Sequence, residues 1–188
     1  MYHILILLSL SLFIGDLSAE ENRVLFKFEE VTEMRPWQAV NDGVMGGRSI
    51  GKLQQTDNQT LKFYGTLSLE NNGGFASVRA RSLKPGMNIS ETIVMRVRGD
   101  GRTYDFNLYV PTQMTAYSFR QSFETKKGEW TEVELPLAKF QATWFGRSLT
   151  DRPLDAAKVN GIGILLGDKK AGPFELEIDW IKVRPKAE

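Results

Sequence analysis

From Ile93 to Leu137 the chain alternates apolar and polar residues with a period of two. Ile93, Met95 and Val97 fall on one side, Arg96 and Arg98 on the other. Tyr104, Phe106, Leu108 and Val110 alternate with Asp105, Asn107 and Tyr109. Tyr117, Phe119 and Phe123 alternate with Ser118, Arg120, Ser122 and Glu124, and Trp130, Val133, Leu135 and Leu137 follow. Successive side chains of a strand point to opposite faces, so this pattern predicts strands with one buried face each. Gly99-Asp100-Gly101 and Lys127-Gly128 supply the turns between them.

The remaining segments read the same way. Val24 to Phe28, Arg48 to Gln54, Leu61 to Leu67, Phe75 to Arg81, Val159 to Leu166 and Phe174 to Val183 all have strand character. Ile162, Ile164 and Leu166 are separated by Gly161, Gly163 and Leu165, which predicts a strand buried on both faces. Residues 29–46 read as an anchoring loop. Residues 138–158 form the longest irregular stretch, with a helical turn expected near Asp155 to Lys158. About ten short strands with no long helix predict an all-β fold, a single β-sandwich. A first strand near the N-terminus and a last strand near the C-terminus are expected to pair and close one sheet. No linker rich in Pro, Gly or Ser divides the chain, and 188 residues suffice for one domain with a sizeable core. The expected domain runs over 20–188.

Residues 1–19 differ in kind. Ile4 to Ile14 is apolar except for Ser9 and Ser11, and small residues lead to Ala19. The segment reads as a secretory signal peptide cut near Ala19–Glu20, and its apolar run falls short of the roughly twenty residues of a membrane span. The expected product is an exported, periplasmic or secreted protein with no transmembrane segment in the mature chain.

Composition excludes several chemistries. There is no cysteine, hence no disulfide, thiolate metal site or catalytic thiol. The one histidine, His3, lies in the expected leader, so neither a Ser-His-Asp triad nor a histidine-ligated zinc site is expected in the mature chain. A formal net charge of +1 argues against a nucleic-acid binder. No glycine-rich stretch has the strand-to-helix context of a nucleotide loop. Asp42, Asp57, Glu70, Asp100, Asp105, Asp168 and Asp179 are the candidate carboxylates, and no spacing among them selects an acid–base pair. No catalytic residue and no cofactor are therefore expected.

Two glycine-rich stretches stand out. Trp37 to Ser49 joins an aromatic anchor, Asn41-Asp42-Gly43 and Gly46-Gly47. Asn41, Asp42 and Gly43 suit the positive φ of tight turns, and Gly46 and Gly47 allow a kink or close approach. Trp37, Val40, Val44 and Met45 are expected to tie the loop down. The second stretch, Gly65 to Arg79, contains the turn Asn71-Asn72-Gly73-Gly74.

Trp37, the run Asn41 to Ser49 and the run Gly65 to Arg79 resemble the complex I intermediate-associated protein 30 family. Gly161-Ile162-Gly163-Ile164, with Gly172 to Ile181, is similar to that family's last two strands. The resemblance implies a galactose-binding-like jelly roll and, in mitochondria, an assembly factor for NADH:ubiquinone oxidoreductase. It marks Trp37, Asn41, Asp42, Gly43, Met45, Gly46, Gly47, Ser49, Gly73, Gly74 and Phe75 as motif residues, read here as mainly architectural. It also allows a structural calcium ion, with Asn41 and Asp42 as alternative cation ligands rather than a turn cap.

The candidate binding residues are arginines on strands. Arg79, Arg81, Arg96, Arg98 and Arg120 alternate with apolar neighbours and are expected on the non-core face, with Asn107, Tyr109 and Gln121 nearby. One reading pairs them with Glu124, Asp105 and Glu91 across strands. The other makes one arginine-rich surface for an anionic glycan, a lipid head group or an acidic partner. Trp130 and Trp180 are expected in the core, Trp144-Phe145 exposed. The leading functional expectation is a non-enzymatic binding or assembly module holding a protein partner of the cell envelope on a sandwich face. The alternative is a carbohydrate- or small-ligand-binding module of the galactose-binding-like type.

Overall fold

The computed structural model describes residues 22–186, so the expected signal peptide lies outside the described residues. Thirteen strands form two antiparallel sheets. They are β1 (Arg23–Phe26), β2 (Trp37–Asn41), β3 (Ile50–Gln55), β4 (Leu61–Leu67), β5 (Ala76–Arg81), β6 (Thr92–Gly99) and β7 (Thr103–Tyr109). β8 (Tyr117–Glu124), β9 (Trp130–Pro136), β10 (Gln141–Trp144), β11 (Arg147–Ser148), β12 (Gly161–Leu166) and β13 (Gly172–Arg184) complete the set. The described residues carry no helix longer than a 3₁₀ turn, one of them at Ala156–Lys158 where a helical turn was expected.

The six-stranded sheet has the order β3-β4-β13-β6-β9, with β1 also pairing β13. β13 meets β4 over Gly172–Ile178 and β1 over Ile181–Val183, so first and last strands do pair. The seven-stranded sheet has the order β11-β10-β8-β7-β12-β5-β2. Their inner faces meet in one core. Leu61, Phe63, Ile93, Met95, Val97, Leu176 and Ile178 pack against Val78, Ala80, Phe106, Leu108, Ile162 and Ile164, all fully buried. β12 is buried along its whole length, as its lack of polar residues requires.

The sandwich has more strands than the roughly ten expected. β2 lies inside the stretch read as a loop, and β10 and β11 lie inside the irregular one. These short strands near or at the sheet edge hold too few residues to show a period. Trp130 and Trp180 are also not core residues. Both are half-buried beside cations on the outer face, Trp130 under Arg96 and Arg98 and Trp180 under Lys182. Indole rings supply that contact as readily as they fill a core, so alternation alone misplaced them.

The two glycine-rich stretches are the connections by which the chain passes between sheets, β2 to β3 and β4 to β5. One carboxylate laces them together. Asp42 is fully buried and accepts bonds from the Ser49 amide (2.8 Å), the Ser49 hydroxyl (2.6 Å), the Gly74 amide (2.6 Å) and the Phe75 amide (3.2 Å). The glycines make room for it. A Cβ on Gly47 would lie 2.4 Å from the Asp42 carboxyl carbon, and one on Gly73 would lie 2.6 Å from its Oδ2. In the first stretch Gly46 takes left-handed backbone, with φ of 90°.

Three expectations for this motif change. Asn41, Asp42 and Gly43 do not take positive φ, because the turn is a 3₁₀ turn closed by Gly46. Gly47 is required by close approach, not by φ. Val44 and Met45 do not tie the loop down; they are 74% and 56% exposed, because the Asp42 hydrogen bonds already hold it. Trp37 is buried against Phe26 and Phe28 as expected, and the Asn41 amide donates to the Gly51 carbonyl (3.1 Å).

A second polar knot ties three further crossings. Arg102, in the β6–β7 turn, holds Asp168, in the β12–β13 loop, through two bonds of 2.9 and 2.6 Å, and also binds the Lys170 carbonyl. The Thr125 hydroxyl, between β8 and β9, donates to the Arg102 carbonyl (2.9 Å).

Candidate functional site

The outer face of the seven-stranded sheet carries a polar row built by strand register. Gln141 of β10 stands opposite Arg120 of β8, Arg120 opposite Asn107 of β7, Asn107 opposite Gly163 of β12, Gly163 opposite Arg79 of β5, and Arg79 opposite Gln38 of β2. In the next row Tyr109 stands opposite Gly161, and Gly161 opposite Arg81. The two glycines let Tyr109 lie down on β12. A Cβ on Gly163 would be 3.2 Å from both the Arg79 stem and the Tyr109 ring.

Tyr109 is 8% exposed, covered by Arg79 and Arg81, whose guanidinium carbons lie 5.5 and 5.1 Å from its ring centre. Burial pushes the phenol above its ordinary pKa, while Arg79, Arg81 and Arg120 pull it back. The small polar groups around it are locked. Ser118 donates to Asn107 Oδ1 (2.9 Å), Arg120 Nε donates to the same oxygen (3.1 Å), and Ser77 donates to the Val40 carbonyl (2.5 Å).

Arg79 is the exception in this network. Its Nε donates to the Ser77 hydroxyl (3.1 Å), and among the described residues its Nη groups meet no acceptor and no carboxylate. Burial pushes its pKa down, Tyr109 opposes that, and the positive charges of Arg81 and Arg120 add to it. Guanidinium stays charged even so. The one carboxylate of the cluster, Asp105, is already engaged by Arg120 (3.3 Å) and by the Ser122 hydroxyl (2.6 Å). The cluster therefore offers positive charge and N–H donors.

Of the expected binding residues, Arg79, Arg120, Asn107 and Tyr109 come together here, with Arg81. Arg96 and Arg98 do not. They lie on β6, on the outer face of the other sheet, where Arg96 pairs with Asp179 and Arg98 with Glu177 (2.9 Å). The single arginine surface is thus two, because β6 joins β13 and not β5 or β8. Asp105 is the one carboxylate of the expected partners that is used; Glu91 pairs with Arg23. Gln121 turns inward with Phe119 and Phe123, its Oε1 buried. Trp144 is exposed, as expected, but sits opposite Tyr117 on the side of β10 that Ala142 turns to the core, away from the arginines. Near Tyr117 a cleft of about 320 Å³ is lined by Val110, Met114, Phe119 and Pro153.

Ser77, Ser118 and Thr143 are buried parts of the polar face that sequence reasoning missed. Their alternation phase pointed to it; strand order, which places them between arginines, did not show in the sequence. Among the described residues no group of three or more His, Cys, Asp or Glu is placed to hold a metal. Asp42 in particular meets N–H and O–H donors on both oxygens, an arrangement suited to a capping carboxylate. No helix among the described residues is long and apolar enough to cross a membrane.

A family model described as complex I intermediate-associated protein 30 matches residues 26–178. A mouse protein named complex I intermediate-associated protein 30, mitochondrial, is 32% identical over 87% of this chain and 56% of its own length. The corresponding probable protein of Caenorhabditis elegans is 31% identical over 90% of this chain and 56% of its own. The chain thus spans a little over half the length of these relatives. In fold it matches the family 11 carbohydrate-binding module of the cellulosomal cellulase Lic26A-Cel5E of Clostridium thermocellum, with a TM-score of 0.68, 15% identity, and 91% of this chain and 98% of that one covered. At that identity the likeness speaks for the jelly-roll fold alone. The relatives named mitochondrial overturn the expected periplasmic or secreted location. The apolar N-terminal run that suggested export is a compositional signal, and it lies outside the described residues.

Proposed function

The chain belongs to the complex I intermediate-associated protein 30 family, and from this premise we propose that it is a non-enzymatic, assembly-factor-like module that holds a protein partner on the outer face of its seven-stranded sheet. The observation that carries the reading is a hydrogen-bonded face on which two guanidinium groups, Arg79 and Arg81, meet no carboxylate among the described residues. Asn107, Ser118 and Arg120 are fixed by mutual hydrogen bonds and Ser77 by one to the Val40 carbonyl, while the Arg79 Nη groups have no acceptor among the described residues. A preorganised face loses little entropy on docking, and an unmatched buried-side cation is best satisfied by a partner.

A sugar-binding reading rests on the exposed indole of Trp144. It is the weaker of the two, since Trp144 lies on the opposite side of its strand from the polar row. Cross-linking of the full chain in its own cells, followed by purification, tests both. A protein cross-linked in stoichiometric yield and lost on changing Arg79 supports the protein-holding reading. Absence of any such protein, with a raised unfolding midpoint in mixed-linked glucan oligosaccharides, overturns it in favour of the sugar.

A further inference from the structure

We propose that the Arg79–Arg81–Arg120 cluster is a carboxylate-recognition site, and that the partner presents an acidic, Asp- or Glu-bearing protein segment to it. This rests on the protein-holding reading above and names the chemistry of that contact.

Two guanidinium groups, those of Arg79 and Arg81, lie over the Tyr109 ring, and a third, that of Arg120, stands in the neighbouring row opposite Asn107. Within the cluster these three positive charges meet one negative charge, Asp105, which is occupied by Arg120; the other carboxylate of the face, Glu124, stands two rows from Arg120, opposite Thr103. The cluster therefore keeps an uncompensated excess of two positive charges, held next to one another at a cost that an incoming anion would relieve. The planar fork of Arg79 is half-buried, with its Nε committed to Ser77 and its Nη edge uncommitted. That edge matches the two oxygens of a carboxylate.

The contrast with the other sheet is instructive. Arg96 and Arg98 each have a carboxylate of the same chain, Asp179 and Glu177, and so have no charge left to offer. The glycines of β12 belong to the same device. Without side chains at 161 and 163 the Tyr109 ring lies flat, and the stem of Arg79 is carried over it.

Calorimetric titration of the full chain at low ionic strength, with a hexaglutamate peptide as probe, tests the assignment. Inorganic phosphate and polygalacturonate serve as the competing anions. The expected result is peptide binding that weakens with salt and falls about tenfold or more in Arg79→Gln and in Arg81→Gln, with Arg98→Gln unchanged. Arg81 is exposed, so its variant folds even where Arg79→Gln does not. Equal losses in Arg81→Gln and Arg98→Gln, binding of phosphate alone, or preference for polygalacturonate at the same arginines would each overturn it. A partner captured equally by the parent and by Arg81→Gln sinks the carboxylate site while leaving the protein-holding reading standing. Failure to capture any partner removes that reading itself.

Discussion

Asp42 Oδ2 accepts a 2.6 Å hydrogen bond from the amide of Gly74, thirty-two residues further along the chain. With it, one buried carboxylate joins the two places where the chain first leaves and then re-enters the seven-stranded sheet. Removing that acceptor strands buried N–H donors. Asp42→Ala is expected to lose at least about 3 kcal/mol of unfolding free energy, since buried bonds to a charged group contribute roughly 1.5–3 kcal/mol each. Chemical denaturation of the variant against the parent measures it, and a loss below 1 kcal/mol would show the clasp to be dispensable.

Gly46 and Gly47 are neighbours with different duties. Gly46→Ala meets no atom within 4 Å and suffers only from its φ of 90°, an expected cost of about 1 kcal/mol. Gly47→Ala drives a methyl into the Asp42 carboxyl and is expected to cost more, about 3 kcal/mol. The cost at Gly47 should shrink in a background already carrying Asp42→Gly, whereas the cost at Gly46 should not. A double-mutant cycle reads that coupling directly.

Acid should loosen the same knots. Burial pushes the Asp42 carboxyl up, but the Ser49 hydroxyl and the amides of Gly74, Ser49 and Phe75 outweigh it and hold it below its ordinary value. Asp168 behaves alike: burial raises it, and the Arg102 bonds with the Lys170 amide outweigh that and hold it below its ordinary value. A depressed folded-state pKa means that the unfolded chain binds more protons. The stabilisation is therefore complete above about pH 4, the ordinary carboxylate range, and is lost as pH falls through the depressed values. Unfolding free energy measured from pH 6 down to pH 2 should fall steeply in the parent and more gently in Asp42→Asn. Parallel slopes would assign acid sensitivity elsewhere.

Ion pairs of the two kinds should differ. The Arg102 and Asp168 side chains are 12% and 9% exposed, so Arg102→Leu leaves a nearly buried carboxylate unpaired and is expected to cost about 3 kcal/mol. Arg184 and Glu134 are 41% and 53% exposed, and Arg184→Leu should cost no more than about 1 kcal/mol. Thermal unfolding of both variants at matched salt separates them.

The exposed apolar pair of the motif should be silent in stability. Val44→Asp and Met45→Asp are expected to shift unfolding by less than about 0.5 kcal/mol, because neither side chain packs on the core. A large loss in either would mean that the loop is held by these side chains after all.

Much of this fold was legible because its long strands obey a strict period. Ile93 to Val97, Phe106 to Leu108 and the wholly apolar β12 lie where alternation puts them. Arg79 and Arg120 could be assigned to an outer face for the same reason. Which outer face was not legible, since Arg79 and Arg96 have the same local pattern and differ only in the sheet their strands join. Trp130 and Trp180 misled because an indole is apolar enough for a core and polarisable enough for a cation. The role of Asp42 was half visible. Its place in a glycine-rich turn marked it as a backbone cap, but the donors it caps, at Gly74 and Phe75, lie too far along the chain for spacing to reveal.

The register places both polar knots at one end of the sandwich. Leu67, at the end of β4, stands opposite Gly172, at the start of β13, and the Asp42 and Arg102 contacts gather around those termini. At the other end the loops around residues 82–91, 110–116 and 145–160 are joined by backbone bonds such as Leu83 to Asn160 and Phe145 to Ala116. Breathing of the molecule should be lopsided in consequence. Amides of the loop end would exchange with solvent first, while those beside Asp42 and Arg102 would wait for global opening. A partner gripping the arginine face at mid-strand then meets a body clamped at one end and compliant at the other, so adjustment on docking would travel toward the loops and never toward the clamp.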